Sequence, residues 1–184
     1  VFTSSFALAD NKVPFTIFHT NDMHCRLGYE EYKGKPTSFG SAREKALIDK
    51  EKKENPNRTV IALDAGDAFQ GLPVSNQSKG QDMAKAMNEI GYKAMAAGNH
   101  EFDFGLDTVE KYKNNPQNGG WLNFPILSTN VYKDGKRLFE PSTIINENGV
   151  KIGIVGVTTP ETATKTNPTG IKGVTFKKPI PEVT

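Results

Sequence analysis

The sequence has 184 residues and is nearly charge-balanced, with 23 basic and 21 acidic side chains and a formal net charge of +2. A nucleic-acid partner is not expected, because proteins that bind nucleic acids usually carry a clustered basic face. No apolar run approaches the roughly 18 residues that a membrane-spanning helix needs, so no transmembrane segment is expected. The single cysteine, Cys25, excludes a disulfide within the chain.

The first nine residues differ in composition from the rest of the chain. They combine phenylalanines with small residues, and Ala7-Leu8-Ala9 fits the A-x-A pattern found before a signal-peptidase cleavage site. This pattern predicts a signal-peptide remnant at 1–9, a domain over 10–184, and a secreted, periplasmic or cell-surface location. An unstructured leader or a cloning remnant is the alternative interpretation.

Strand-like and helix-like segments alternate along the next part of the chain. Apolar, β-rich runs predict strands, and apolar residues spaced three and four apart predict helices. Strands are predicted at residues 15–18, 59–63, 92–97 and 124–131, and helices at 41–54, 82–90 and 106–113. The helix at 41–54 begins with Ser41 and Glu44, which match a capping box. Its buried face is expected to include Ala42, Ala46 and Leu47.

The alternation of strand-like and helix-like segments ends after the fourth predicted strand. Two apolar runs, 142–146 and 150–157, flank Asn148-Gly149, and Asn-Gly between strand-like runs is a strong hairpin signal. A further short strand is predicted at 174–176. Strand–helix repetition followed by a hairpin predicts an α/β fold that contains a mixed β-sheet flanked by helices.

Residues that can bind a metal follow three of the predicted strands, at the point where each strand ends. Asp22 and His24 follow the first strand, Asp67 follows the second, and Asn99 and His100 follow the third. Ligands collect beyond the carboxyl ends of the strands in open α/β sheets, so these loops are expected to converge. Each motif alone is weak evidence, since surface histidines and Gly-Asp turns are common. Their ordered combination is specific.

The types of these residues suit a pair of divalent metals. Asp22 and His24 are two residues apart, so their side chains are expected to lean to one side of an extended stretch. Carboxylate oxygen and imidazole nitrogen suit zinc, and mixed ligands of this kind suit manganese, iron or cobalt as well. Asp67 has two oxygens and could bridge two metals about 3.5–4 Å apart. Asn99 offers a neutral oxygen, and His100 could reach over the same site without binding a metal.

The motifs resemble those of the calcineurin-like metallophosphoesterases, in particular the secreted bacterial 5'-nucleotidases and UDP-sugar hydrolases. Segments 20–24, 64–71 and 98–103 carry the resemblance, which extends over 15–179. Gln70 stands where the superfamily has a second acid, and the nucleotidase branch tends to have Gln-Gly there. The resemblance implies a sandwich of mixed β-sheets flanked by helices, the calcineurin-like metallophosphoesterase fold.

The resemblance also implies how the metals are held. Asp22 and His24 would bind the first metal, Asp67 would bridge both metals, and Asn99 would bind the second. The cofactor would be two divalent ions, and zinc, manganese, iron and cobalt all remain candidates.

Two further residues take catalytic roles by the same resemblance. His100 would stabilise the charge that develops on the phosphoryl group or assist the leaving group, and Asp103 would hydrogen-bond His100 and orient it. The implied reaction is hydrolysis of phosphate esters, above all extracellular nucleotides or nucleotide sugars, by a hydroxide that the two metals activate. A 2',3'-cyclic nucleotide phosphodiesterase and a non-catalytic surface or interaction module are the alternatives. No substrate-binding residue is assigned.

One departure from the family pattern bears on domain organisation. The family takes further metal ligands, chiefly histidines, from later loops, and it carries a separate C-terminal domain that binds the nucleotide. No histidine follows His100 in this sequence. We therefore expect 10–184 to be the N-terminal part of a catalytic domain, with an incomplete fold. The missing C-terminal half of the same protein would be its partner.

Several residues near these motifs have a structural interpretation as well as a functional one. Cys25 is expected to be a free thiol beside the site rather than a metal ligand, and Glu101 is expected to hydrogen-bond within its loop. Asn130 fits either a site role or a loop cap. Buried packing rather than base stacking is expected for the aromatic residues Trp121, Phe124 and Phe139.

Overall fold

The computed structural model describes residues 13–183, so the signal-peptide remnant predicted at 1–9 lies outside the described residues. The strands are β1 (Phe15–Thr20), β2 (Glu30–Tyr32), β3 (Lys35–Ser38), β4 (Thr59–Asp64), β5 (Ala94–Ala96), β6 (Ile126–Leu127), β7 (Val131–Lys133), β8 (Lys136–Arg137), β9 (Ser142–Glu147), β10 (Val150–Val155) and β11 (Val174–Phe176). The α-helices are α1 (Ser41–Glu54), α2 (Pro73–Ser78), α3 (Gln81–Ile90), α4 (Leu106–Lys113), α5 (Thr162–Lys165) and α6 (Ile180–Val183). Short 3₁₀ helices cover His100–Phe102, Pro116–Asn118 and Pro168–Ile171.

The central sheet has the strand order β1-β4-β5-β6, and all its pairings are parallel. Helix α1 connects β1 to β4, α2 and α3 connect β4 to β5, and α4 connects β5 to β6. This confirms the predicted α/β class. Parallel neighbours need crossover connections, and helices supply them. Within residues 13–183, no helix combines the length and the apolar character needed to cross a membrane.

The antiparallel strands form smaller sheets of their own. β9 and β10 form the predicted hairpin, and β7 pairs with both β8 and β11. Asn148 and Gly149 both have positive φ, at 52° and 80°, as a type I′ hairpin turn requires. A bridge between Leu127 and Glu140 places the start of this region beside β6.

Helix α1 has the predicted bounds, but its predicted cap and buried face are wrong. The N-cap is Gly40, which makes no side-chain cap bond, and Glu44 instead accepts a hydrogen bond from the Tyr92 hydroxyl. Ile48 is the buried residue of the helix, whereas the alanines and leucine of the predicted face are exposed. The helix packs on α3 and β4 through its Glu44–Ile48 side, so tertiary contacts override the sequence periodicity.

The predicted strand at 124–131 is wrong in its extent, because the structure divides it into β6 and β7. The side chain of Asn130 lies between them, fully buried, and its Nδ2 donates to the carbonyl oxygens of Thr158 and Lys177 at 2.7 and 2.8 Å. Asn130 therefore ties together three segments. The other predicted helices agree closely with α3 and α4.

The main core lies between the central sheet and its helices. It contains Met83, Met87 and Ile90 from α3, together with Phe102 and Tyr112. The aromatic residues expected to pack do so, since Phe124 and Phe139 are buried and Trp121 packs against the core. The same core holds the sheet edge at which β1, β4 and β5 end.

Candidate metal centre

The loops that follow β1 and β4 run side by side at the carboxyl end of the sheet. Four successive backbone hydrogen bonds of 2.8–3.0 Å join them. The amide of Ala65 donates to the carbonyl oxygen of Thr20, and the amides of Asp22, His24 and Cys25 donate to the carbonyl oxygens of Gly66, Asp67 and Ala68 in turn. The predicted convergence of these two loops is therefore confirmed.

The extended stretch predicted for Asp22 and His24 is wrong, because the backbone of these loops is left-handed. Asp22, His24, Cys25 and Asp67 all have positive φ, at 51°, 46°, 58° and 60°. Left-handed conformations cost free energy in residues with a Cβ, and they persist where the surroundings over-determine them. Here the backbone hydrogen bonds between the two loops hold these residues in the left-handed conformation. Asp22 and His24 still face one another, with Asp22 Oδ1 lying 3.8 Å from His24 Nε2.

The buried carboxylate of Glu101 holds the loop after β4 against the loop after β5. It accepts hydrogen bonds from the amides of Asp67, Ala68 and Gly98 at 2.8, 2.9 and 2.7 Å. Burial, together with the negative charge of Asp67, raises the pKa of Glu101 to about 7. The expected loop role of Glu101 is confirmed. The approach is so close that a Cβ on Gly98 would lie 2.3 Å from Asp67 Oδ1.

Three of the predicted site residues come together as potential metal ligands. One ligand atom from each of His24, Asp67 and His100 lies within 4.8 Å of the others. His24 Nδ1 is 2.8 Å from the carbonyl oxygen of Gln70, which requires a proton on Nδ1 and leaves the lone pair on Nε2. Asp67 Oδ1 accepts from the His100 amide at 2.8 Å, and its other oxygen remains available. This donor set fits a divalent cation such as zinc.

His100 and Asp103 form the predicted pair, with His100 Nδ1 lying 2.7 Å from Asp103 Oδ2. Burial would lower the pKa of His100, but the hydrogen bond and charge of Asp103 outweigh it and raise that pKa. Burial would raise the pKa of Asp103, but hydrogen bonds from His100, Thr166 and Asn167 lower it overall. The pair is therefore an imidazole ring that is hydrogen-bonded to an ionised carboxylate.

The remaining site residues take different places. The Asn99 amide donates from Nδ2 to the carbonyl oxygen of Lys165 at 3.1 Å. Cys25 is fully buried in the core and is not among the clustered ligand atoms, in agreement with the expectation of a free thiol. Its burial raises the pKa of the thiol.

A polar groove of about 440 Å³ opens beside His100, lined by Gln70, Asn76, His100, Asp103, Phe104, Lys165, Thr166 and Asn167. Residues 165–167 were not predicted to be part of the site. They lie more than 60 residues after His100, in a stretch without a metal-binding motif, so only tertiary structure places them there.

The parallel sheet with clustered histidine and carboxylate side chains at its carboxyl edge defines a metallophosphoesterase-like protein, and a family comparison agrees. Residues 15–184 match the family described as calcineurin-like phosphoesterase, so the chain belongs to that family. It is 41% identical to a 5'-nucleotidase of Vibrio cholerae over 178 residues, which is 95% of this chain and 30% of that protein. It is 35% identical to the protein UshA of Escherichia coli, over 94% of this chain and 30% of UshA.

Solved structures show the same likeness. A 5'-nucleotidase precursor from Thermus thermophilus superposes with a TM-score of 0.74 and 34% identity, covering 90% of this chain and 32% of that one. The phosphoesterase YfkN from Bacillus subtilis superposes with a TM-score of 0.73 and 27% identity, over 90% of this chain and 55% of YfkN. The chain thus spans about 30% of the length of the curated relatives named above.

Proposed function

We propose that this chain forms the N-terminal part of the catalytic domain of a metal-dependent phosphoric ester hydrolase that acts on nucleotides. The main observation behind the proposal is that His24, Asp67 and His100 converge at the carboxyl edge of the sheet, where His24 and Asp67 would bind metal and His100 would face the phosphoryl group. The printed names of the relatives, several of them 5'-nucleotidases, support nucleotides as the substrate class.

In this proposal, Asp22 and His24 hold one divalent ion, Asp67 bridges two, and Asn99 binds the second. Three features support it: the free lone pair on His24 Nε2, the nearby oxygen of Asp22, and the second oxygen of Asp67. Zinc, manganese, iron and cobalt all suit such ligands. Bound ions would supply Lewis acidity and acidify a water molecule.

His100 and Asp103 would act on the phosphoryl group itself. Because Nδ1 of His100 is engaged by Asp103, its Nε2 is the ring atom that can hydrogen-bond a phosphoryl or leaving-group oxygen. The carboxylate of Asp103 fixes the ring orientation and stabilises positive charge on the ring. The groove beside His100 offers space next to that atom for the leaving group.

We also propose that residues outside this chain supply the remaining metal ligands and the nucleotide-binding domain. The relatives are about three times as long as the aligned segment, and the sequence has no histidine after His100. A secreted, periplasmic or cell-surface location is proposed from the A-x-A pattern at residues 7–9.

The test is hydrolysis of AMP, UDP-glucose and p-nitrophenyl phosphate by the complete protein, with and without Mn²⁺ or Zn²⁺. We expect metal-dependent turnover that falls at least roughly 100-fold in Asp67→Asn, because the metal sites lose a carboxylate and its charge. Asp49→Asn, on the exposed surface of α1, is the matched control and should retain full activity.

Two results would contradict the proposal. The first is a wild-type protein that binds metal but hydrolyses none of these esters, which would favour the non-catalytic module. The second is equal activity in Asp67→Asn and Asp49→Asn. Preferential turnover of 2',3'-cyclic nucleotides would retain the metal site but change the substrate class to that of a cyclic phosphodiesterase.

A further inference from the structure

Three consecutive residues, the last of α5 and the two that follow it, contact Asn99 and Asp103, which lie on either side of His100 in the sequence. Lys165 accepts a hydrogen bond at its carbonyl oxygen from Asn99 Nδ2, at 3.1 Å. The next residue, Thr166, donates its hydroxyl to Asp103 Oδ1 at 2.6 Å, and the backbone amide of Asn167 donates to the same oxygen at 3.2 Å. We call residues 165–167 the 165–167 segment.

These contacts determine the orientation of the Asp103 carboxylate. Its Oδ2 is occupied by His100 Nδ1, and its Oδ1 receives the Thr166 hydroxyl and the Asn167 amide. With both oxygens engaged, rotation about the carboxylate bond would break at least one charge-assisted hydrogen bond, and such bonds are stronger than neutral ones. Loss of the hydroxyl would leave Oδ1 with only the longer amide contact.

The same segment determines which atom Asn99 presents. Because Asn99 Nδ2 donates to the carbonyl oxygen of Lys165, the side-chain oxygen of Asn99 is directed away from that contact. An oxygen is the only side-chain atom of asparagine that can bind a cation. In the proposed metal site, this contact would leave the amide oxygen of Asn99 available as a ligand.

The chain that leads into the 165–167 segment is held by buried groups, although the segment itself is exposed or half-buried. Thr162 is fully buried, and its hydroxyl donates to the carbonyl oxygen of Thr159 at 2.7 Å. Thr158 donates its hydroxyl to the carbonyl oxygen of Ala97 at 2.7 Å and its amide to Asn130 Oδ1 at 2.9 Å. The two bonds of Thr158 anchor the chain before α5 to the residue after β5 and to the residue before β7.

We propose that Thr166 is a positioning residue for the reaction, acting through Asp103 on the orientation of His100. The inference rests on the proposed function for its kinetic consequence but not for its geometry. Removing the hydroxyl while keeping the shape would loosen Asp103, and His100 Nε2 would lose its fixed direction. Residues that orient catalytic or metal-binding histidines typically contribute roughly 10- to 100-fold in activity or affinity.

The experiment compares Thr166→Val with Thr166→Ser in the complete protein. Valine has the shape of threonine without a hydroxyl, whereas serine restores the donor. We expect kcat for p-nitrophenyl phosphate to fall roughly 10- to 100-fold in Thr166→Val, with KM changed less than about twofold. Thr166→Ser should lie within about threefold of the wild type. Thr164→Val is the control, because Thr164 is exposed on α5 and bonds only its own helix, at the carbonyl oxygen of Glu161.

A second readout reports the geometry directly, at a single pH and without substrate. In ¹⁵N-labelled protein, the Nδ1–H signal of His100 should be observable in the wild type and in Thr166→Ser. It should shift upfield or broaden in Thr166→Val. If wild-type protein lacks hydrolase activity, the proposed function fails, and this signal alone decides the positioning role.

The inference is overturned if Thr166→Val retains kcat within twofold, or if the valine and serine variants are equally impaired. It is also overturned if activity falls while the His100 signal stays unchanged, since that pattern indicates a purely structural role. Circular dichroism and melting temperature of each variant identify any general loss of fold.

Discussion

The two faces of the central sheet are built differently. On one face, Val60, Ala62, Met95 and Ile126 point into the core beneath the helices and are buried. On the other face, Phe15 and Ile17 of β1 are 37% and 50% exposed, although their partners on β4, Thr59 and Ile61, are buried. Among the described residues, the helices therefore half-bury one face of β1, and we call its other face, which carries Phe15 and Ile17, the open face.

The open face continues onto the β9–β10 hairpin. Ile144 and Val155 are 74% and 52% exposed, and a cavity of about 230 Å³ lies between His19 of β1, Leu63 of β4 and the end of β10. Parallel sheets in α/β proteins have both faces covered. Within the described residues, the helix-covered face is therefore complete, whereas the open face exposes large apolar side chains.

The largest expected effect concerns the 184-residue chain by itself. With apolar side chains of β1 and of the β9–β10 hairpin exposed, we expect it to unfold without a cooperative transition or to self-associate, because exposed apolar patches promote association. Thermal melting followed by circular dichroism, with light scattering for oligomeric state, measures this. A cooperative melt of a monomer would show that the helix-covered face alone stabilises the fold.

The next largest effect is on the helix-covered face of the complete protein. Met87→Ala removes a fully buried side chain of α3, and we expect the free energy of unfolding to fall by about 2–5 kcal/mol. Urea unfolding measures the change. Lys85→Ala, on the exposed side of the same helix, is the control and should stay within about 0.5 kcal/mol of the wild type.

A matched pair tests whether the open face is covered in the complete protein. Ile17 and Leu47 have nearly equal exposed fractions, 50% and 52%, but Leu47 lies on helix α1 rather than on the sheet. If further protein covers the open face, Ile17→Ser should cost roughly 1.5–3 kcal/mol, whereas Leu47→Ser should stay within about 0.5 kcal/mol. Equal, small changes in urea unfolding would argue that the open face stays exposed.

At the edge that joins the two faces, Glu101→Gln tests the contact between the loops. Glutamine offers one acceptor oxygen where three backbone amides now converge, so at least one buried donor loses its partner. We expect a loss of about 1–3 kcal/mol of stability and weaker binding of Mn²⁺ by calorimetry. Glu89→Gln, exposed on α3, should change neither quantity.

A further effect is a pH dependence within the helix-covered face. Burial raises the pKa of Asp64 to about 7, against about 3.9 for an unfolded aspartate. Between these values the folded state holds a proton that the unfolded state has released, so the free energy of unfolding falls as pH rises. The slope contributed by one such group is at most about 1.4 kcal/mol per pH unit.

In Asp64→Asn, the free energy of unfolding should fall less steeply with rising pH between about pH 4 and 7. Urea unfolding in the presence of a chelator measures this slope. The asparagine retains an oxygen for the Gly66 amide that Asp64 Oδ1 now binds. Asp49→Asn, exposed on α1, should leave the slope as it is in the wild type. An unchanged slope in Asp64→Asn would contradict the proton on Asp64.

Much of the fold was predictable because it rests on local patterns. The bounds of α1 and α4 and the β9–β10 hairpin agree with expectation, since helix periodicity and an Asn-Gly turn are local signals. The division of 124–131 was not predictable, because the buried side chain of Asn130 bonds to residues 28 and 47 positions away.

At the site, the sequence by itself determined which residue types stand at the strand ends, and parallel topology implied that these ends meet. Only the tertiary structure decided the left-handed backbone of Asp22 and His24. It likewise decided the hydrogen bonds by which Glu101 joins two loops and the hydrogen bond from Thr166 to Asp103. It also decided which side of α1 is buried. The physical reason is that local propensity acts over a few neighbours, whereas these features depend on hydrogen bonds and packing between segments more than 30 residues apart.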